Sequence, residues 1–195
     1  PIVRTASLTD LGVPPDQILP TFVYLFNFQM IGMLVGGVLW GVLGDKKGRM
    51  SVLFGSITLY SLANIANAFV TTIPAYAAMR FLAGLGLSGE LGAAITLVSE
   101  VLPKEVRSYG TAVVASLGIT GALVADLVGN KLGWRGAFIT GGVMGLMLLV
   151  LRIKVTDSGM FKQLAHQDVA KGNFLMLFTN RARFIRYLRA ILIGV

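Results

Sequence analysis

Five stretches of this sequence run for about 20 residues each with almost no charge, roughly Thr21 to Leu43, Ser51 to Val70, Tyr76 to Glu100, Tyr109 to Asn130 and Gly136 to Ile153. A sixth begins near Arg189 and runs to the last residue. A helix of about 20 apolar residues crosses about 30 Å of hydrocarbon. Lipid leaves no water to satisfy backbone N–H and C=O groups, so only helices and closed barrels can span it. The period-two alternation of a barrel strand is absent, which leaves helices. Gaps of about 5 to 8 residues are too short for anything but antiparallel neighbours. The expected fold is therefore an all-α membrane protein, a polytopic transmembrane helix bundle with five full spans.

Composition excludes several other classes. Only 13% of residues are charged, against about 25% in an ordinary soluble domain. The net charge of +8 does not point to nucleic acid, because the basic residues sit in short gaps between apolar runs and not on one solvated face. There is no cysteine, and His166 is the single histidine. Thiolate chemistry, disulfides and His-rich metal sites are thereby removed, and no cofactor is expected.

Thirteen of the 17 Lys and Arg residues fall on one side of the spans: Lys46, Lys47, Arg49, Lys104, Arg107 and the eight between Arg152 and Arg189. The other side holds Arg4, Lys131 and Arg135. Basic residues concentrate on the cytoplasmic side of membrane helices, so segments 44–50, 101–108 and 154–188 are expected there, in a bacterial inner membrane. Residues 1–20, rich in Pro, Asp and Thr and lacking the apolar centre of a signal peptide, read as an extracytoplasmic loop. Trp40 and Trp134 lie near opposite span ends, where interfacial aromatic residues gather, although both can equally fill space in a core. At the end of the last of these inner segments, "RARFIRYLRAILIGV" puts Phe184, Leu188 and Ile191 on one stripe, as in a helix lying on the membrane surface, the alternative being a solvated linker with snorkelling Arg.

The most unusual stretch is "GVLGDKKGRMS", Gly41 to Ser51, a charged knot between two apolar spans. Taken alone it is a cytoplasmic hairpin with turn residues. Its pattern of Gly41, Leu43, Asp45, Gly48 and Arg49 resembles the signature loop between the second and third helices of the major facilitator superfamily of transporters. "RFLAGLGLSGE", Arg80 to Glu90, is similar to that family's Arg and glycine pattern in its fourth helix, and "SEVLPKEVRSYG" to the pattern at the inner end of that helix. "LGWRGAF" and "DSGMF" resemble features on either side of the family's sixth helix.

The resemblance implies that the chain is a fragment carrying the second to sixth helices, the loop between the two six-helix halves and the start of the seventh. The lipid bilayer and the remaining half of the transporter are then its partners. It also implies that Gly41, Asp45, Gly48, Arg49, Glu100 and Arg107 form a conformational latch at the cytoplasmic surface. The plain alternative is routine surface pairing, worth about 0 to 1 kcal/mol per pair. "SLGITGALVADLVGN" lacks the Gly-Pro pair of the drug-exporting branch, which turns the expectation away from drug/proton antiport.

Three ionisable residues, Arg80, Glu90 and Asp126, lie within spans. Each costs about 2.5 to 3.5 kcal/mol at the centre of a membrane helix, so each is expected to face the bundle interior or a watery cavity. Glu90, mid-span, is the candidate proton-coupling carboxylate, with a neutral hydrogen-bonded Glu as the alternative. Arg80 and Asp126 can pair across adjacent spans, or Arg80 can bind an anionic group. Asn27 and Gln29 contact substrate or bond across helices. Stripes of small residues, Gly84, Ser88 and Gly92 among them, permit close helix contact.

The function these features favour is secondary transport of a small polar metabolite, by proton symport. A facilitator or a drug antiporter of the same family is the nearer alternative, and a non-transporting membrane sensor the farther one. An enzyme is not expected, since no nucleophile with a base and no metal motif is present.

Overall fold

The computed structural model describes residues 4–103, 106–151, 176–179 and 181–194. Lys104, the stretch from Asp157 to Phe161, His166 and most of segment 154–188 lie outside them. The described residues form seven helices: α1 (Arg4–Asp10), α2 (Ile18–Lys47), α3 (Arg49–Asn67), α4 (Ile73–Val101), α5 (Arg107–Leu151), α6 (Met176–Thr179) and α7 (Arg181–Gly194). A 3-10 turn, Pro15–Gln17, leads into α2.

Residues 4–20 are not the loop their composition suggests. Gly12, at φ 77, ends α1 with its N–H on the Thr9 carbonyl, while the Val13 N–H reaches the Leu8 carbonyl, both at 3.0 Å. This is the left-handed helix ending that glycine supplies without a Cβ penalty. What makes so short a helix stable is tertiary: Leu8 is buried in a cluster with Leu25, Tyr76, Ala77 and Trp134. An isolated helix of this length would not persist in water.

The charged knot is also not a loop. Asp45, Lys46 and Lys47 belong to the last turn of α2, and α3 begins at Arg49. Gly48, at φ 92 and ψ 158, makes the whole break, with its N–H on the Gly44 carbonyl at 3.1 Å. Only glycine takes that conformation cheaply. The two lysines sit where the helix dipole favours cations.

The same device recurs in α5. The run from Arg107 to Leu151 is helical except at Gly133, at φ 70 and ψ 177. Residues equidistant from that break, such as Gly121 and Gly145 or Ala125 and Gly141, line one cleft, so the arms 107–132 and 134–151 fold back on each other. They correspond to the fourth and fifth sequence spans.

Helix α4 is the centre of the bundle, packed on α2 on one side and α3 on the other. A Cβ on Gly32 would strike the Phe81 carbonyl, and one on Gly84 the Gln29 carbonyl. On the other face, a Cβ on Gly86 would lie 2.6 Å from the Tyr60 nitrogen. These helices touch backbone to backbone, as small residues permit in membranes. Trp40 fills space between helices: its indole fits between Gly55 and Gly89 and donates to the Leu85 carbonyl at 2.7 Å.

Outward, the bundle is apolar. Leu34 of α2, Ile119 of α5 and Leu151 are 70 to 75% exposed. Among the described residues, two segments, Pro15–Lys47 and Ser108–Leu151, are long and apolar enough to cross a membrane. Helix α3 carries more polar groups and turns them inward: Ser56, Ser61, Asn64 and Asn67 are all buried.

The α2–α4 crossing yields a direct expectation. Gly84→Val should lower the thermal stability of the detergent-solubilised protein by about 1 to 3 kcal/mol or more, as overpacking does. Gly121→Ala, where a Cβ meets nothing within 4 Å, should leave it unchanged.

Candidate functional site

The polar interior is built by α4 and α3 together. Arg80 and Glu90 lie ten residues apart on α4, a rise of about 15 Å at 1.5 Å per residue. Arg80 enters the space between α3 and the second arm of α5. Its Nη2 donates to Asn64 Oδ1 at 2.9 Å. Its guanidinium carbon lies 4.7 Å from the centre of the Phe138 ring and 5.9 Å from that of Tyr76. Cation–π contact of this kind partly replaces water for a desolvated cation. Among the described residues no carboxylate accompanies it.

The pairing of Arg80 with Asp126 is not made. Asp126 is exposed on the first arm of α5 and accepts from the Asn130 amide at 3.3 Å. Arg80 faces the opposite way, toward Asn64 and Phe138. Helical phase separates the two residues, although both lie toward the same end of the bundle.

Around Arg80 the Trp134 end is closed by a second set of contacts. Tyr76 stacks on Trp134 with ring centres 6.2 Å apart, and Phe138 meets both edge-on. Trp134 Nε1 and Arg135 Nη2 each donate to Asp10 Oδ2 at 3.2 Å. Arg135 Nη1 also reaches the Ala68 carbonyl at 2.9 Å. The Tyr76 hydroxyl bonds Ser7, which is fully buried. One carboxylate therefore ties α1 to the turn at Gly133, and Arg135 ties that turn to the connection between α3 and α4.

Glu90 is half-buried and lines a cleft of about 290 Å³. Ile57 and Tyr60 of α3 form one wall, Gly121, Val124, Ala125 and Val128 of the first α5 arm a second, and Ala137 to Leu148 of the other arm a third. Apart from Glu90, the polar groups there are Tyr60 and Thr140.

The remaining sequence candidates divide by place. On α2, Asn27 is exposed and Gln29 half-buried, with the Gln29 backbone against Gly84. At the Gly48 end, Asp45 and Gly41 are exposed on the last turns of α2. Arg49 and Arg107 open their helices and Glu100 stands one residue before the end of α4. The up-and-down order of the helices brings these positions to the same end. The side chains of Arg49, Glu100 and Arg107 lie outside the described residues.

Asn64, Tyr76, Phe138 and Asp10 were not singled out by sequence reasoning. The available signal was the pair Asn64 and Asn67 inside an otherwise apolar span, since a buried amide in a membrane helix needs a partner. Asn64→Ala leaves the Arg80 guanidinium buried without its hydrogen bond and should cost about 1 to 3 kcal/mol, the usual cost of orphaning a buried polar group. Thermal unfolding in detergent measures this, and Asn130→Ala, on the exposed face, should not change it.

Comparison with known proteins was consistent across sequence and structure. The family model described as Major Facilitator Superfamily matches residues 5–195. A niacin transporter of Acinetobacter baylyi is 38% identical over 139 residues, 69% of this chain and 32% of the relative. A 3-(3-hydroxy-phenyl)propionate transporter of Escherichia coli is 33% identical over 144 residues, 71% of this chain and 35% of the relative. Among solved structures, the inward-open xylose transporter XylE of E. coli superposes with a TM-score of 0.72 at 18% identity, covering 96% of this chain and 50% of that one. The chain thus spans about a third of the length of these curated relatives.

Proposed function

This chain belongs to the Major Facilitator Superfamily, and on that premise we propose that the complete protein moves a small organic acid across a membrane together with protons. It does so by alternating access between two helical halves, of which this chain supplies most of one. The relatives at 33 and 38% identity are named for niacin and 3-(3-hydroxy-phenyl)propionate. Each is a carboxylic acid that contains an aromatic ring, ionised at neutral pH. A proton moving with such an anion cancels its charge and lets an inward proton gradient drive uptake.

The observation that carries this reading is the placement of Glu90. A carboxyl group midway along α4, at a cleft bordered by α3 and both arms of α5, is costly unless it works. Its neutral form suits the bundle and its charged form suits water, so a change of access loads or releases a proton. The buried Arg80, with no carboxylate among its described partners, adds a positive charge to the interior that an anionic substrate requires.

The Gly48 end then faces the cytoplasm, in keeping with the distribution of Lys and Arg. Asp45, Arg49, Glu100 and Arg107 act there as the latch that closes the cytoplasmic side, with Gly48 setting the angle between α2 and α3. Asn27 and Gln29 of α2 are left for contact with substrate or with the other half.

Uptake by the full-length protein in proteoliposomes tests the proposal. Glu90→Gln should abolish accumulation driven by a pH gradient and preserve exchange of labelled for unlabelled substrate at equal pH. Accumulation that survives both Glu90→Gln and collapse of the gradient would show that Glu90 carries no proton. A screen of aromatic acids against sugars in the same vesicles tests the substrate class.

A further inference from the structure

The buried polar face of α3 does more than hold Arg80. Tyr60, Ser61, Asn64 and Asn67 recur at helical spacing along it, and Ser61 and Asn67 are completely buried. Other polar side chains of α3 bond back onto their own helix: Ser56 to the Leu53 carbonyl at 3.3 Å, Thr58 to Phe54 at 2.7 Å, and the Asn64 amide to Tyr60 at 3.1 Å. Ser61 and Asn67 do not. The Ser61 hydroxyl, both amide atoms of Asn67 and the Nε of Arg80 have no hydrogen-bond partner among the described residues.

Buried polar atoms without protein partners are rare, and internal water satisfies most of them. Inside a membrane the demand is stronger, because hydrocarbon offers no substitute. The parts of its relatives that this chain does not span do not remove this demand, since Ser61 and Asn67 are already fully buried within the described residues. Four such atoms, on Ser61 and Asn67 of α3 and on Arg80 of α4, are more than an isolated defect.

Both ends of this polar face are placed. At one end Tyr60 lines the cleft that holds Glu90. Ser61 lies one residue on, against Gly145 of the same cleft. At the other end Asn67 closes α3, next to Ala68, whose carbonyl accepts from the half-exposed Arg135. From Tyr60 to Asn67 the helix rises about 10 Å. We propose that this face of α3 is a hydrated passage through which Glu90 exchanges its proton with the solution at the Trp134 end.

The proposal rests on Glu90 being the proton carrier. The step is a simple transfer: a proton from the solution passes along hydrogen-bonded water and binds a Glu90 carboxylate oxygen, and leaves from the same oxygen when the bundle opens to the other side. The charged and titratable groups along the passage are Arg80 and Tyr76 of α4 and Tyr60 of α3, and at its outer end Arg135 of α5, paired with Asp10 of α1. The second arm of α5 also contributes Phe138, Gly145 and Thr140, which do not titrate. Protons move beside the guanidinium, past Ser61, Asn64 and Asn67.

Two measurements on the full-length transporter, with any native cysteines replaced, decide the matter. The first is labelling by a small membrane-impermeant methanethiosulfonate from the Trp134 side. Ser61→Cys and Asn67→Cys should react, while Leu62→Cys, on the outward face of the same helix, should not. The second is proton-driven uptake. Asn67→Leu should slow it while leaving equal-pH exchange and thermal stability intact, and Asn67→Ser, which stays polar and small, should restore it. A purely structural Asn67 predicts the reverse: unchanged coupling, with stability equal or improved once an unpaired amide is gone.

A wild type that moves substrate without protons overturns the Glu90 reading and this inference with it. A coupled wild type in which positions 61 and 67 stay unlabelled, or in which Asn67→Leu couples normally, overturns the passage alone.

Discussion

The rest of the structure depends on how closely α4 approaches its neighbours. Without a hydrophobic force between helices in lipid, what holds them is contact area and polar bonding, and both need backbones near one another. Gly32 and Gly84 let α2 and α4 meet at their carbonyls, and Gly86 brings α4 against Tyr60 of α3. Everything polar follows from these approaches. Trp40 reaches an α4 carbonyl, and Asn64 reaches Arg80, only because no side chain separates the helix axes at those levels.

That closeness also explains how charged and amide groups are tolerated within spans. Arg80 is held by one amide and two aromatic faces, a soft environment that stabilises the cation without neutralising it. An ion pair would have cancelled the charge; the observed arrangement does not. The Trp134 end, with Asp10, Trp134 and Arg135 in one hydrogen-bonded group, ties three separate connections of the chain together beside the site. The opposite end has no comparable enclosure in the described residues, and there the charges of the Gly48 turn lie exposed.

Much of the architecture was legible in the sequence for a simple reason: span length and apolar runs answer directly to the thickness of the bilayer, and no tertiary contact can relax that requirement. Arg80 and Glu90 were equally conspicuous, because an ionisable residue inside an apolar run needs an explanation. Their surroundings were not legible. The pairing of Arg80 with Asp126 was reasonable from depth along the spans and failed on helical phase. The helix at Arg4–Asp10 was hidden because its stability comes from Leu8 in a distant cluster and not from its own residues. The compactness of the knot at Gly48 was hidden as well, since Asp, Lys and Gly suit a loop and a helix end equally.

By itself, then, the sequence determined the class, the number of spans, their alternation and the side on which the basic residues gather, all consequences of solvation that act residue by residue. Only the tertiary structure decided which face of each helix meets which neighbour: Arg80 with Asn64 and Phe138, Glu90 with the α5 cleft, Asp10 with Trp134. Those choices turn on rotation of each helix about its own axis, and glycine contacts between helices far apart in sequence select the angle.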